Sequence, residues 1–132
     1  MKKAQASFDF LILFGVLLIF FVFLFQFILS GRYTESVQTQ IALGAREQAE
    51  HVAFVVDSLY LAGDGSNATF FTDSSLPHST NFTLTVYDEG FVVVNYLNTE
   101  YSVALLTTAV NQTQLFSGSH FVQNVNGVVR FA

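Results

Sequence analysis

The hydrophobic pattern changes along the chain, and its first segment is apolar on every side. Eighteen of the 20 residues at positions 10–29 are Phe, Leu, Ile or Val, and Gln26 is the one polar side chain among them. About 20 such residues span a bilayer as a helix. At roughly 0.3–0.6 kcal/mol per residue they favour insertion by about 5–11 kcal/mol. We predict a membrane-spanning helix, because the remaining chain is too small to cover a helix that is apolar all round.

Beyond residue 30 the apolar positions follow one stripe of a helix. The stripe consists of Tyr33, Val37, Ile41, Ala45, Val52, Val55 or Val56, and Leu59, with a gap of two turns before Val52. No proline interrupts residues 5–61, and Gly63-Asp64-Gly65 supplies a strong stop. The pattern predicts one continuous helix over about residues 7–61. Three glycines are positions where this helix could bend: Gly15, Gly31 and Gly44.

After residue 65 the pattern changes to period two, with many β-branched and aromatic residues. It predicts five to seven short strands, at residues 68–72, 82–87, 91–95, 101–106, 114–116, 120–125 and 128–131. Asn126-Gly127 is a strong hairpin signal. We therefore predict an α+β fold, in which the second half of a long N-terminal helix packs on a small antiparallel β-sheet or sandwich.

The charges at the two ends of the apolar segment predict its orientation. Lys2 and Lys3 precede the segment, whereas Arg32 follows it together with Glu35. The positive-inside bias places Met1 in the cytoplasm and the chain after residue 31 outside. A conventional secretory signal has a shorter apolar region and an A-x-A-like site. The sequence Ser-Gly-Arg-Tyr at residues 30–33 matches such a site poorly, so we expect no cleavage on the outer side.

The residues before the apolar segment carry a different signal. The basic Lys2-Lys3 is followed by the small Ala4 and then by Gln-Ala-Ser-Phe-Asp-Phe-Leu at residues 5–11. This arrangement resembles the class III (prepilin-type) signal peptide of archaeal type IV pilins, which has a basic leader, a small residue and Gln-x-Ser-x-Glu-Tyr/Phe-Leu. Ala4 stands where Gly is usual, and Asp9 where Glu is usual. Residues 60–65, 81–87 and 125–129 are more loosely similar to small euryarchaeal pilin-like proteins.

The resemblance implies that a membrane-embedded prepilin peptidase cuts between Ala4 and Gln5. It divides the chain into a cleaved leader (1–4), a transmembrane and filament-core helix (5–30), an amphipathic continuation of that helix (31–62) and an extracellular antiparallel β domain (63–132). The cut removes both lysines but leaves the apolar helix attached, so the product stays in the bilayer until assembly machinery extracts it.

The function that the resemblance implies is that of a structural subunit of an archaeal type IV pilus-like surface filament. Subunits would wait as single-pass membrane precursors and then form a homopolymer through their hydrophobic N-terminal helices. Adhesion or surface contact is the expected role of the extracellular filament. The alternative is an unprocessed, membrane-anchored extracellular binding module or a minor pilin-like component.

Asp9 is the candidate assembly residue, because a carboxylate at the head of an apolar segment is costly in a bilayer unless it is paired. In related pilins the acidic fifth residue of the processed chain pairs with the new amino terminus of a neighbouring subunit. Transferred here, Asp9 would pair with the amine of a neighbour's Gln5. Alternatively, Asp9 lies in the headgroup region and stabilises the helix N-terminus through the dipole. Cyclisation of Gln5 would remove its positive charge and weaken the pairing.

Three N-glycosylation sequons begin at Asn67, Asn81 and Asn111, all in the segment predicted to lie outside. We expect a glycoprotein. Glycans would cover apolar surface on a subunit that has few charges.

Composition and charge disfavour other classes of function. The net charge is −5, and Arg46 and Arg130 are the basic side chains after residue 32, which disfavours nucleic-acid binding. There is no Cys, hence no disulfide or thiolate site. The histidines fit no metal-ligand spacing, and the acidic residues of the predicted loops lack EF-hand spacing. We expect no metal, no cofactor, no catalytic residue and no enzymatic activity.

Overall fold

The computed structural model of the chain describes residues 2–132 and has an α+β fold. One helix, α1 (Lys2–Ala62), is followed by seven strands. The strands are β1 (Asn67–Thr72), β2 (Phe82–Tyr87), β3 (Phe91–Tyr96), β4 (Thr99–Ala104), β5 (Thr113–Leu115), β6 (Gly118–Val125) and β7 (Val128–Phe131). Each predicted strand is present, and the predicted fold class is confirmed.

The strands form two antiparallel sheets, and the second half of α1 packs on them. One sheet has three strands in the order β1-β6-β7, and the other has four in the order β4-β3-β2-β5. A single parallel bridge joins Val110, in the segment between β4 and β5, to Val129 of β7. The core between the helix and the sheets is rich in β-branched residues. The largest fully buried side chains include Val52 and Val56 of the helix and Leu84, Val86, Val92, Val94, Val122 and Val129 of the strands.

The predicted continuous helix is confirmed, and it begins earlier than expected, at Lys2. None of its glycines interrupts it. The helix ends where the Gly63 signal placed the stop, since Gly63 has φ of 87°, a left-handed conformation that favours glycine. The Leu59 carbonyl in the last turn accepts hydrogen bonds from the Ser66 hydroxyl and the side-chain amide of the buried Asn124, each at 3.0 Å. A strand residue thus fixes the end of the helix.

The buried stripe of the helix differs from the predicted one at its start and in its middle. Ile41 is the first buried residue, whereas Tyr33 is 70% exposed and Val37 is half-buried. Ala49 is buried and fills the predicted gap between Ala45 and Val52, and Ala53 is buried directly after it. Alanine contributes little to a hydrophobicity pattern, so the sequence showed a gap where the structure has close packing.

The end of β4 also differs from the prediction, which extended this strand to residue 106. β4 ends at Ala104, and the Leu106 amide is the first to leave the β3–β4 register. The Leu105 N–H donates to the Gly90 carbonyl, and the Leu106 N–H donates to the Asp57 carboxylate of the helix, both at 2.9 Å. A contact with the helix, which no local pattern shows, ends the strand.

Among the glycines of the helix, Gly44 makes the closest approach to the β domain. A Cβ added there would lie 2.6 Å from Cδ of Pro77, in the short 3₁₀ turn Pro77–Ser79. Carbon atoms pack at about 3.5–4.0 Å. The proline ring has little freedom to move away. Gly44 therefore serves close packing rather than bending.

We expect Gly44→Ala to lower the free energy of unfolding by up to about 2 kcal/mol, because overpacking at this contact costs about 1–3 kcal/mol and outweighs the gain of about 1 kcal/mol in helix propensity. Gly31→Ala is the matched control, since nothing lies within 4 Å of its added Cβ. Thermal unfolding of the full chain in detergent, followed by near-UV circular dichroism, measures both variants. Equal stability of the two variants would contradict the packing role.

Candidate functional site

The first half of α1 presents an exposed apolar surface along residues 8–29. Its large hydrophobic side chains are 43–79% exposed. The helix is long and apolar enough to cross a membrane, and none of the apolar window lies inside the protein. By length and composition, this helix can serve as a membrane anchor.

Polar groups at the C-terminal end of the apolar surface are satisfied within the helix itself. The Ser30 hydroxyl donates to the Phe27 carbonyl at 3.0 Å, and the Thr34 hydroxyl donates to the Ser30 carbonyl at 3.1 Å. Such back-bonding removes the need for water at a hydroxyl. The surface can therefore enter an apolar environment at this end without leaving these groups unpaired.

The predicted processing and assembly residues all lie in the first turns of the helix. Ala4, Gln5 and Asp9 are helical and exposed, and Met1 lies outside the described residues. Within residues 2–132, Asp9 has no hydrogen-bond or ion-pair partner. A carboxylate therefore lies at the head of the apolar surface.

The second half of the helix is fixed to the β domain by polar contacts on both sides of its buried stripe. On one side, Gln40 is hydrogen-bonded to His78 at 2.8 Å, and the Gln48 amide donates to the Asp73 carboxylate at 2.7 Å. On the other side, Asp57 accepts the backbone contact at the end of β4. These contacts prevent rotation of the helix against the sheets.

One ion pair reinforces the exposed side of this region. Nε of Arg46 donates to the Glu50 carboxylate at 2.7 Å, one helical turn away. The hydrogen bond and the charge of Glu50 raise the pKa of Arg46 above its ordinary value, with a smaller contribution from Tyr101. The pair is exposed, so its contribution to stability is small.

Three exposed apolar side chains lie opposite the buried stripe, and the sequence pattern did not predict them. Leu43, Phe54 and Leu61 are 58%, 71% and 72% exposed. Their spacings of 11 and 7 residues place them on one line along a helix with 3.6 residues per turn. The spacing could have been found in the sequence, but the stronger stripe concealed it. Glu47 and Glu50 lie on the same side of the helix between these residues, so the three apolar side chains are separated by charged ones.

The three sequons have different surroundings. Asn67 is exposed at the first position of β1, and Asn81 is exposed one residue before β2. Asn111 is half-buried, and its side-chain oxygen accepts the N–H of Phe131 at 2.9 Å. The three sequons therefore differ in the exposure and bonding of their Asn side chains, although the sequence motif is the same at each.

The histidines take part in separate local contacts. His51 meets the ring of Phe70 edge-on at 6.0 Å, whereas Nε2 of His120 lies 2.9 Å from the Thr72 hydroxyl and 2.6 Å from the Phe116 carbonyl. His78 is bonded to the helix as described above. Residues 2–132 contain no group of three or more His, Asp or Glu side chains that could hold a metal ion.

Comparisons of the chain with models of known protein families, with curated proteins and with solved structures gave no match. What the structure shares with type IV pilins is their general architecture, a long apolar N-terminal helix packed on a small β domain.

Proposed function

We propose that this chain is a structural subunit of an archaeal type IV pilus-like surface filament that polymerises through its N-terminal helix. The observation that carries the proposal is the exposed apolar surface of residues 8–29, with the unpaired Asp9 at its head. In water, apolar area costs about 25 cal/mol per Å². A surface of this extent needs lipid or other copies of itself around it.

Lipid would cover this surface first, and the neighbouring helices of the filament core would cover it after assembly. Lipid tails are as apolar as leucine, so moving the helix from the bilayer into a bundle of like helices gains no hydrophobic energy. Packing between side chains and the pairing of polar groups must favour assembly instead. Asp9 supports this order of events, because its carboxylate is costly in the bilayer and gains a partner if it meets the amine of a neighbour's Gln5.

Processing between Ala4 and Gln5 would fit the same order. The leader contains Lys2 and Lys3, whose charges resist passage through the bilayer. Removing the leader on the cytoplasmic side creates the amine that Asp9 requires and leaves the apolar helix intact.

The β domain would form the outer surface of the filament and make its contacts with other cells or surfaces. The packing and polar contacts of residues 40–59 hold the domain on the helix, so that it moves with the helix during assembly. Its location outside the membrane would also expose the sequons to N-glycosylation.

One observation favours the second candidate function, a single-pass anchored binding module. An open groove of about 560 Å³ lies between Asn81 and the turn at the tip of the β3–β4 hairpin, and Phe82 and Tyr96 contribute to its lining. In that case, the β domain would bind a ligand while the intact helix stays in the membrane.

We expect Asp9→Ala to lower the amount of filament sheared from cells about ten-fold or more. A charge-assisted hydrogen bond contributes about 1.5–3 kcal/mol, and each 1.4 kcal/mol is about ten-fold in an equilibrium constant. Quantitative immunoblotting of the sheared and membrane fractions measures the effect, and the membrane fraction should keep its normal amount. Asp9→Glu is the matched control that retains the charge and should restore assembly. Normal filament yield for Asp9→Ala would show that Asp9 has no role in register.

We expect Ala4→Leu to block processing, because the peptidase requires a small residue before the cut. The intact mass should then correspond to all 132 residues, and the protein should remain in the membrane. Ala4→Gly preserves a small residue and should be processed normally. A processed mass in Ala4→Leu cells would place the cut elsewhere.

A further inference from the structure

Asn67 stands on an exposed face of the three-stranded sheet that also carries aromatic rings. Side chains alternate along β1, and Asn67, Thr69 and Phe71 share the outer face, whereas Phe70 and Thr72 are buried. Phe71 is 60% exposed. The outer face thus combines a sequon with a large apolar side chain in contact with solvent.

The neighbouring strand adds a second ring to this face. Phe121 of β6 lies opposite Thr69 and is 40% exposed, and Gln123 lies opposite Asn67. Phe121 is therefore the diagonal neighbour of Asn67, at about 7–8 Å by the usual geometry of antiparallel sheets. The first sugars attached to Asn67 can reach this ring.

β1 is also the end strand of its sheet. It pairs with β6 alone, in the order β1-β6-β7. An end strand with apolar side chains is a template for pairing with another chain. A bulky, hydrated glycan on this strand would obstruct such pairing.

Asn111 differs because its amide is part of the fold. Its side-chain oxygen accepts a hydrogen bond from the N–H of Phe131, and its backbone N–H donates to the Val129 carbonyl at 3.1 Å. The side chain thereby fixes β7 in place. A glycosyltransferase would have to swing this half-buried amide out of the fold before it could react.

We propose that Asn67 carries an N-glycan that covers the Phe71 and Phe121 face and the free edge of β1, and that Asn111 remains unmodified. The proposal rests on the outward topology of the β domain in the proposed function. The donor would be an oligosaccharide linked to a lipid phosphate. Nδ2 of Asn67 attacks the anomeric carbon, the bond from that carbon to the phosphate oxygen breaks, the lipid phosphate leaves with the electron pair, and Nδ2 loses a proton.

Glycopeptide mass spectrometry of the full chain from its own cells tests the assignment. Trypsin leaves all three sequons on one peptide, because no Lys or Arg lies between Arg46 and Arg130. Cleavage after acidic residues separates them, placing Asn67 on residues 65–73, Asn81 on residues 74–88 and Asn111 on residues 101–132. We expect a glycan mass on peptide 65–73 and the unmodified mass of peptide 101–132. An unmodified 65–73 peptide, or a glycan on 101–132, overturns the proposal.

Matched substitutions test whether the glycan covers the aromatic face. Thr69→Val removes the sequon but keeps Asn67, and Thr69→Ser retains the sequon. We expect Thr69→Val to lower Tm by about 2–5 °C relative to Thr69→Ser. In a Phe121→Ser background this difference should shrink, because the ring that the glycan covers is gone. An undiminished difference would overturn the covering role.

The fraction that contains the protein separates this proposal from the proposed function. If the chain is found in sheared filaments but peptide 65–73 is unmodified, the glycan proposal fails and the filament function stands. If peptide 65–73 is modified but the chain remains in the membrane, the glycan proposal stands and the filament function fails.

Discussion

The structure depends on one constraint, which is that a helix apolar on all sides cannot be covered by the rest of this chain. The sheets and loops of the β domain bury the helix only from Ile41 onward, and the large side chains of residues 8–29 remain exposed. This apolar segment must therefore find lipid or other helices. Asp9 lies at the head of that surface, and its carboxylate has no partner within residues 2–132.

The second half of the helix differs from the first half, because the β domain packs against it. Small residues bring the two close together, as Ala45 and Ala49 are fully buried and Gly44 leaves room for Pro77. Polar contacts on both flanks, from Gln48 and Asp57, set the rotation of the helix. The opposite face is exposed and carries Leu43, Phe54 and Leu61 together with the charged Glu47 and Glu50.

The sequence predicted the elements well because each has a strong local signal. An unbroken apolar helix, the glycine stop at Gly63 and alternating β-branched residues depend on neighbours in sequence. The features it missed depend on residues far apart in the chain. The end of β4 is set by Asp57, the capping of Leu59 by Asn124, and the difference between Asn67 and Asn111 by a bond to Phe131. The division of the strands into two sheets likewise depends on pairing between strands that are distant in the sequence, and the alternating pattern does not show which strands pair.

The most direct test of the filament account is the identity of the N-terminal residue in material sheared from the cell surface. Mass spectrometry of the N-terminal peptide should find a chain that begins at Gln5, in its free or cyclised form, in the sheared fraction. That single result would show that the chain had been processed, extracted from the membrane and assembled. A chain that begins at Met1 and occurs only in membranes would contradict the account and favour an anchored binding module.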